Sequence, residues 1–418
     1  MYYGFKISDY TANLARQAEL DCAEVFRKID ENALTCSAKV LTAFQECRVS
    51  TTDFLEITGY GYYDAGRDKL EEVYAHVFGA EDALVRPQLM SGTHALAVTL
   101  GGLLKPGETL LYVTGTPYDT LQSVIGTAGD SRNSLIKYGV RYEEIDLKGN
   151  EFDLDAIRER VAKGDIKVAA IQRSRGYAQR KSLYIDQIAE AVKVIKDACP
   201  DTIIMVDNCY GEFTEELEPP AVGADLAIGS LIKNPGGGMA ETGGYLAGSA
   251  RAVELCSYRL TCPGIGLEVG ATLGESKNMY RGLFYAPHTV AQALKTAHFA
   301  AYVFRELGFA VEPAPEELRS DIIQTVITGS AEALCAFCRG IQAGSPVDAY
   351  VTPEPWEMPG YQDKVIMAAG AFVQGASIEL SADGPLKPPY TAFFQGGLTF
   401  ESGRIGVLSA AAEILKVK

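Results

Sequence analysis

The chain has 418 residues, 47% hydrophobic and 22% charged, which is ample apolar material for a packed core and excludes general disorder. A formal net charge of −16 sets most of the surface against phosphate backbones and anionic lipid, so neither nucleic acid nor a membrane is an expected partner. Nine cysteines, odd in number and mostly inside apolar segments, read as buried thiols in a reducing, cytoplasmic setting rather than as a disulfide framework.

The N-terminal stretch lacks a basic run followed by an apolar one, and no later segment reaches 18 uninterrupted apolar residues, so no export signal or anchor is expected. Ala15, Leu20, Ala23, Val25 and Phe26, then Ala38, Val40, Leu41 and Phe44, recur at helical spacing between charged residues. This predicts helices over about 8–47 and an N-terminal arm of 1–55. A Gly/Tyr turn, GYGYYDAGR (59–67), leads into an amphipathic helix that ends at Gly79.

From Asp82 to Gly248, apolar runs at 83–87, 109–113, 168–172, 202–207, 226–230 and 243–248 interleave with helical stretches such as 93–104 and 185–199. Unalternating strands between helices are the pattern of a mostly parallel sheet covered on both faces, so an α/β large domain is predicted over 56–290. A long helix follows Pro287, and a smaller α+β domain is expected over 291–418, with Pro/Gly-rich loops at 343–360 and 384–397.

Two strand ends carry the chemistry. One strand ends on Asp207; the next, LAIGS, runs through Ser230 to Lys233 and then NPGGG. Carboxyl ends of parallel strands face the ligand crevice, so this acid and this amine can share one site. A lysine there can have its pKa lowered by desolvation and form a Schiff base with an aldehyde. A buried carboxylate can hold a pyridine nitrogen protonated and make the ring an electron sink. Separately, Asp207 reads as a turn residue and Lys233 as a solvated loop lysine; paired, they read as a site. The glycines after Lys233 would let backbone approach a planar ligand. The segment SGTHAL (91–96) opens a helix with Gly92, forming an anion cradle or a plain N-cap by Ser91 or Thr93, and Ser230 could bind the same phosphate.

Asp207, the Ser230-to-Lys233 spacing, the Ser-Gly-Thr-His helix start and Tyr118 in TGTPYDT together resemble the fold type I pyridoxal-phosphate enzymes of cysteine and methionine metabolism. The phrases GYGYYDAGRDKLE, EDALVRPQLMSGTHA and SLIKNPGGG are similar to the aluminium-resistance or methionine gamma-lyase-like branch, and the likeness spans roughly 50–410. The resemblance implies pyridoxal 5'-phosphate as cofactor, Lys233 as its Schiff-base lysine, Asp207 as partner of the ring nitrogen, and Gly92, Thr93 and Ser230 as phosphate ligands, with Tyr118 stacked on the ring. It further implies that Tyr60 or Tyr62 reaches the phosphate of a neighbouring subunit, in a homodimer or homotetramer. The family's accompanying arginine is absent at that spacing, Arg67 lying a few residues late.

Where relatives carry a short Pro/Asn turn near the cofactor oxygen, this chain has RSRGYAQRKS (173–182). Arg173 and Arg175 alternate with Ser174, so one of the two is expected inward, toward the cofactor oxygen or the substrate carboxylate. The resemblance implies a small-domain arginine as bidentate donor to that carboxylate, and Arg404, between two glycines, lies in the matching segment. Cys335 and Cys338 sit in a helical run, the four histidines form no cluster, and no metal site is expected. His94 could face the cofactor or pack on its helix. The implied reaction is carbon–sulfur cleavage of a small sulfur amino acid by beta or gamma elimination. Its rivals are an aldolase or aminotransferase on the same cofactor, and a catalytically weak cofactor-binding stress protein.

Overall fold

The protein is described from a computed structural model that covers residues 2–358 and 363–418. Helices α1 (Asp9–Asp21) and α2 (Ala23–Glu46) occupy the N-terminal stretch expected to be helical. The buried stripe Ile29, Cys36, Val40 and Ala43 recurs at helical spacing and packs against the long helix described below. After the Gly/Tyr turn, α3 (Ala65–Phe78) starts behind Asp64, whose Oδ1 accepts from the Arg67 N–H at 3.0 Å, and stops at Gly79 with φ 65°. A left-handed residue there is why glycine ends the helix.

The large sheet contains β1 (Asp82–Arg86), β2 (Thr109–Tyr112), β3 (Arg141–Glu144), β4 (Ile166–Gln172), β5 (Ile203–Asp207), β6 (Leu226–Ser230) and β7 (Gly244–Gly248), in the order β1-β7-β6-β5-β4-β2-β3. Only β7 runs antiparallel to its neighbours, so the sheet is mostly parallel. Helices α4 (Gly92–Leu103), α5 (Asp119–Ile125), α6 (Leu154–Val161), α7 (Ile185–Ala198) and α8 (Ala250–Leu260) accompany it. Met205 faces the cluster that includes α4 and α8, while Ile204 and Val206 face the one that includes α6 and α7. Burial on both faces is the reason the strands do not alternate. The sequence reading missed β3, an edge strand of sequence RYEE with no apolar run.

Helix α9 (Ser276–Glu306) begins before Pro287 and carries it inside, so position 290, expected as a boundary, lies within one continuous helix. The second sheet, β8 (Ala310–Glu312), β9 (Ile323–Ile327), β10 (Val365–Ala368), β11 (Ser381–Pro385) and β12 (Thr391–Gln395), is antiparallel throughout, in the order β10-β11-β12-β9-β8. Helices α10 (Ala331–Ala343) and α11 (Phe400–Ile414) cover one face of it. Cys335 and Cys338 lie inside α10, as expected, and the described residues hold no metal-ligating cluster. The expected loop at 384–397 is overturned: TAFFQ within it is a wholly buried strand, its apolar pairing with β9 outweighing the flanking Pro and Gly. Residues 359 and 360 of the other expected loop lie outside the described residues. No helix among the described residues is long and apolar enough to cross a membrane.

Candidate functional site

A cavity of about 450 Å³ opens at the carboxyl ends of β4, β5 and β6 and is closed on its far side by the second sheet. Gln172, Asp207 and Ser230 end those three strands, and Lys233 follows one turn later. All four line the cavity, together with Ser91, Gly92, Thr93 and Tyr118. Parallel register makes this convergence: Gln172 lies beside Asp207 on β4 and β5.

The helix start meets the strand ends because Gly92 has no side chain. A Cβ there would stand 3.3 Å from the Cys209 Sγ and 3.5 Å from the Ser230 Cβ. Ser91 caps α4, its Oγ accepting from the His94 N–H at 3.1 Å, and the Thr93 and Thr120 hydroxyls lie 2.9 Å apart. The Ser230 hydroxyl is buried and has no hydrogen-bond partner among the described residues. A buried orphan hydroxyl costs free energy unless a ligand completes it, and here it lies beside a helix N-terminus, where an anion is favoured. The Tyr118 N–H donates to the Gln172 Oε1 at 2.8 Å, which fixes the tyrosine at the cavity wall.

Lys233 and Asp207 share one electrostatic field. The Lys233 Nζ stands 4.0 Å from the centre of the Tyr210 ring, and Tyr210 holds a left-handed φ of 73°. The Asn234 side chain donates to the carbonyls of Tyr210 and Glu212 at 2.9 and 3.0 Å, binding the two strand-end turns together. Burial raises the Asp207 pKa, against the pull of Lys233, the Cys209 N–H and Arg180. Burial pulls the Lys233 amine down, but Cys209, Tyr210 and Asp207 together outweigh it, so its net direction is upward rather than the expected lowering.

Other expectations need correction. Arg173 is fully buried behind the cavity, donating to the Asn208 Oδ1 at 2.8 Å and pairing with Glu215 at 2.7 Å. Arg175 lines an adjoining cavity of about 530 Å³ and donates to the Glu312 carbonyl at 3.2 Å. Neither arginine lines the Lys233 cavity; Ser174 does. The strand stops at Gln172, and Arg180 staples the turn by donating to the carbonyls of Gln172 and Ser174 at 2.7 and 2.8 Å, so strand alternation no longer applies. Arg404 lies on α11, donating to the Tyr2 hydroxyl at 2.7 Å and pairing with Glu19, which commits it to the arm rather than to the cavity. The glycines after Lys233 serve packing instead: a Cβ on Gly236 would overlap the Leu231 carbonyl, and one on Gly237 the Gly282 carbonyl of α9. The His94 Nδ1 lies 3.2 Å from the Met90 N–H, and His94 does not line the cavity.

Tyr60 and Tyr62 are 77% and 52% exposed, with ring centres 5.8 Å apart, and neither lines the cavity of its own chain. The loop backbone is nonetheless fixed, because Arg67 donates to the Gly61 carbonyl at 2.8 Å and the Gly270 N–H to the Tyr60 carbonyl at 2.9 Å. Sequence reasoning missed Gln172, a strand-end residue its own logic could have found. It also missed Tyr177, Asp383 and Phe393, which reach the cavity from a turn and from mid-strand positions without a local signal.

The profile of the methionine gamma-lyase family matches residues 11–415. The chain belongs to this family of carbon–sulfur lyases. It is 50% identical over 404 residues, covering 96% of both chains, to the uncharacterized protein YnbB of Bacillus subtilis. Among solved structures, a Clostridium acetobutylicum protein provisionally named a cystathionine beta-lyase involved in aluminium resistance is 47% identical, with a TM-score of 0.95 over 98% of this chain and 96% of that one. A carbon–sulfur lyase involved in aluminium resistance from Clostridium novyi is 48% identical, with a TM-score of 0.94 over 98% and 96% of the two chains. The expected fold type I architecture, with its mostly parallel sheet and smaller second domain, is the one these structures share.

Proposed function

We propose that this lyase binds pyridoxal 5'-phosphate in the Lys233 cavity and eliminates a thiol from the beta or gamma carbon of a small sulfur amino acid. The observation that carries the reading is the delivery of Lys233 and Asp207, from adjacent strand ends, into one cavity that also holds the orphan Ser230 hydroxyl. The residues present fit the cofactor. Ser230, Gly92 and Thr93 at the start of α4 suit its phosphate, Asp207 its ring nitrogen, Lys233 its aldehyde carbon, and Tyr118 its ring face.

When bound, the cofactor supplies an electron sink for charge left on the alpha carbon. Asp207, as a carboxylate facing the ring nitrogen, would hold the proton there. With its Nζ free, Lys233 would remove the alpha proton and return one later. Tyr118, held through its backbone by Gln172, keeps water from one side of the cavity.

Borohydride reduction followed by peptide mapping is expected to place the label on Lys233; label on another lysine would overturn the assignment. A screen of thioether and hydroxy amino acids for release of keto acid and thiol tests the reaction. Aldehyde release from hydroxy amino acids would favour an aldolase, amino-group transfer an aminotransferase, and binding without turnover a stress-response role.

We further propose a dimer of active-site-sharing subunits, assembling into a tetramer, in which the exposed Tyr60/Tyr62 loop enters the neighbour's site. The support is the preorganised loop backbone with outward-facing rings. Mixing Lys233→Ala with Tyr60→Phe/Tyr62→Phe is expected to restore activity, because mixed dimers contain one site with neither lesion. Confirmed subunit exchange without restoration would break the shared-site reading.

A further inference from the structure

Lys233 and Asp207 belong to the large-domain wall, and the opposite wall carries its own carboxylate. Asp383 sits in β11, its register partners being Met367 on β10 and Phe393 on β12. Its neighbour Ala382 is buried in the core beneath α10 and α11, so strand alternation turns Asp383 to the other face, toward the large domain. Asp383 lines the Lys233 cavity there, beside Phe393 and Tyr177. Tyr177 hydrogen-bonds its carboxyl group, while the Oδ1 atom is buried without a hydrogen-bond partner among the described residues. Burial raises this carboxyl to about 7. The group is therefore short of solvation and of a counter-charge, and a ligand that supplied a cation would relieve both.

We propose that Asp383 is a specificity-determining residue that selects amino acids whose sulfur-linked arm ends in a primary ammonium. The inference rests on the lyase reading and deepens it. An amino-acid substrate has three ends to place. Its alpha-amino group goes to the Lys233 side of the cavity. Its alpha-carboxylate finds no counter-charge on the Asp383 wall, since Lys233 is the one cationic side chain among the described lining residues. The arm remains, and an ammonium at its tip meets both the charge and the open hydrogen-bonding capacity of Asp383. A neutral arm would leave the carboxyl buried and unpaired, and an anionic arm would add repulsion.

Three cysteines with arms of matched length decide it: S-(2-aminoethyl)cysteine, S-propylcysteine and S-(carboxymethyl)cysteine. The cofactor-loaded wild type is expected to give the highest kcat/KM with the aminoethyl arm and the lowest with the carboxymethyl arm. Asp383→Asn should lower kcat/KM for the aminoethyl arm by at least about tenfold, mainly through KM, as expected for loss of a hydrogen-bonded charge pair, and leave the propyl arm nearly unchanged. Asp383→Ser serves as a second variant should the amide disturb folding. Equal effects on all three arms, or none, would overturn the proposal while leaving the lyase reading intact. If the wild type releases thiol from no arm, the lyase reading fails, and calorimetric binding to cofactor-loaded Lys233→Ala still decides Asp383. Ammonium preference lost in Lys233→Ala/Asp383→Asn supports it, and absence of preference in Lys233→Ala overturns it.

Discussion

The two walls of the cavity are built differently. On the large-domain side, Gln172, Asp207 and Ser230 occupy the carboxyl ends of parallel strands, and shared strand direction brings them to one edge. On the small-domain side, Asp383 and Phe393 lie within antiparallel strands and face the cavity only because the second sheet turns that face toward the first. A strand-end residue is placed by topology, which a pattern of strands and helices reveals. A mid-strand residue is placed by the docking of two sheets, which no local pattern encodes.

The largest expected effect falls on the strand-end wall. Lys233→Ala should lower thiol and keto-acid release by about 10²–10⁴-fold, the usual worth of a positioned acid–base group, and abolish borohydride labelling at that position. Activity close to wild type would remove Lys233 from the reaction and dissolve the contrast between the walls.

Arg173→Ala separates a buried support from a site residue. It leaves Glu215 and nearby Glu218 without their buried partner, so the urea midpoint should fall by an equivalent of about 3–5 kcal/mol. An unchanged midpoint with lost activity would return Arg173 to the cavity. Asp207→Asn should keep cofactor yet lose roughly 10²-fold in kcat, because an amide cannot hold the ring-nitrogen proton.

The smallest effect concerns the layer beneath the strand-end wall. Burial raises the Glu212 carboxyl to about 8, and its Oε1 accepts from the Tyr245 hydroxyl at 2.9 Å. Between the ordinary glutamate range and about 8 the unfolded chain releases this proton while the folded one keeps it. This group's contribution to stability therefore falls as pH rises through that window and is flat above it. Glu212→Gln should flatten the decline in denaturation measurements across pH 5–9 by on the order of 1–3 kcal/mol. An identical profile in the variant would show Glu212 ionised in the native state.

Much of this molecule is legible in its sequence. The arm helices, six of the seven strands of the large sheet, the Gly79 stop and the Asp207–Lys233 pairing follow from periodicity, turn chemistry and strand order. These features are local, or follow from the single rule that parallel strands present their carboxyl ends together. Tertiary structure decided the rest. It sent Arg173 behind the sheet, because Asn208, Glu215 and Glu218 converge there from a distant turn. It tied Arg404 to the N-terminal helices through Tyr2 and Glu19, about four hundred residues away in sequence. It also set Asp383 opposite Lys233 by bringing the helix-free face of the second sheet against the strand ends of the first. Side-chain direction at such positions is fixed by partners remote in the chain, and local sequence carries no record of them.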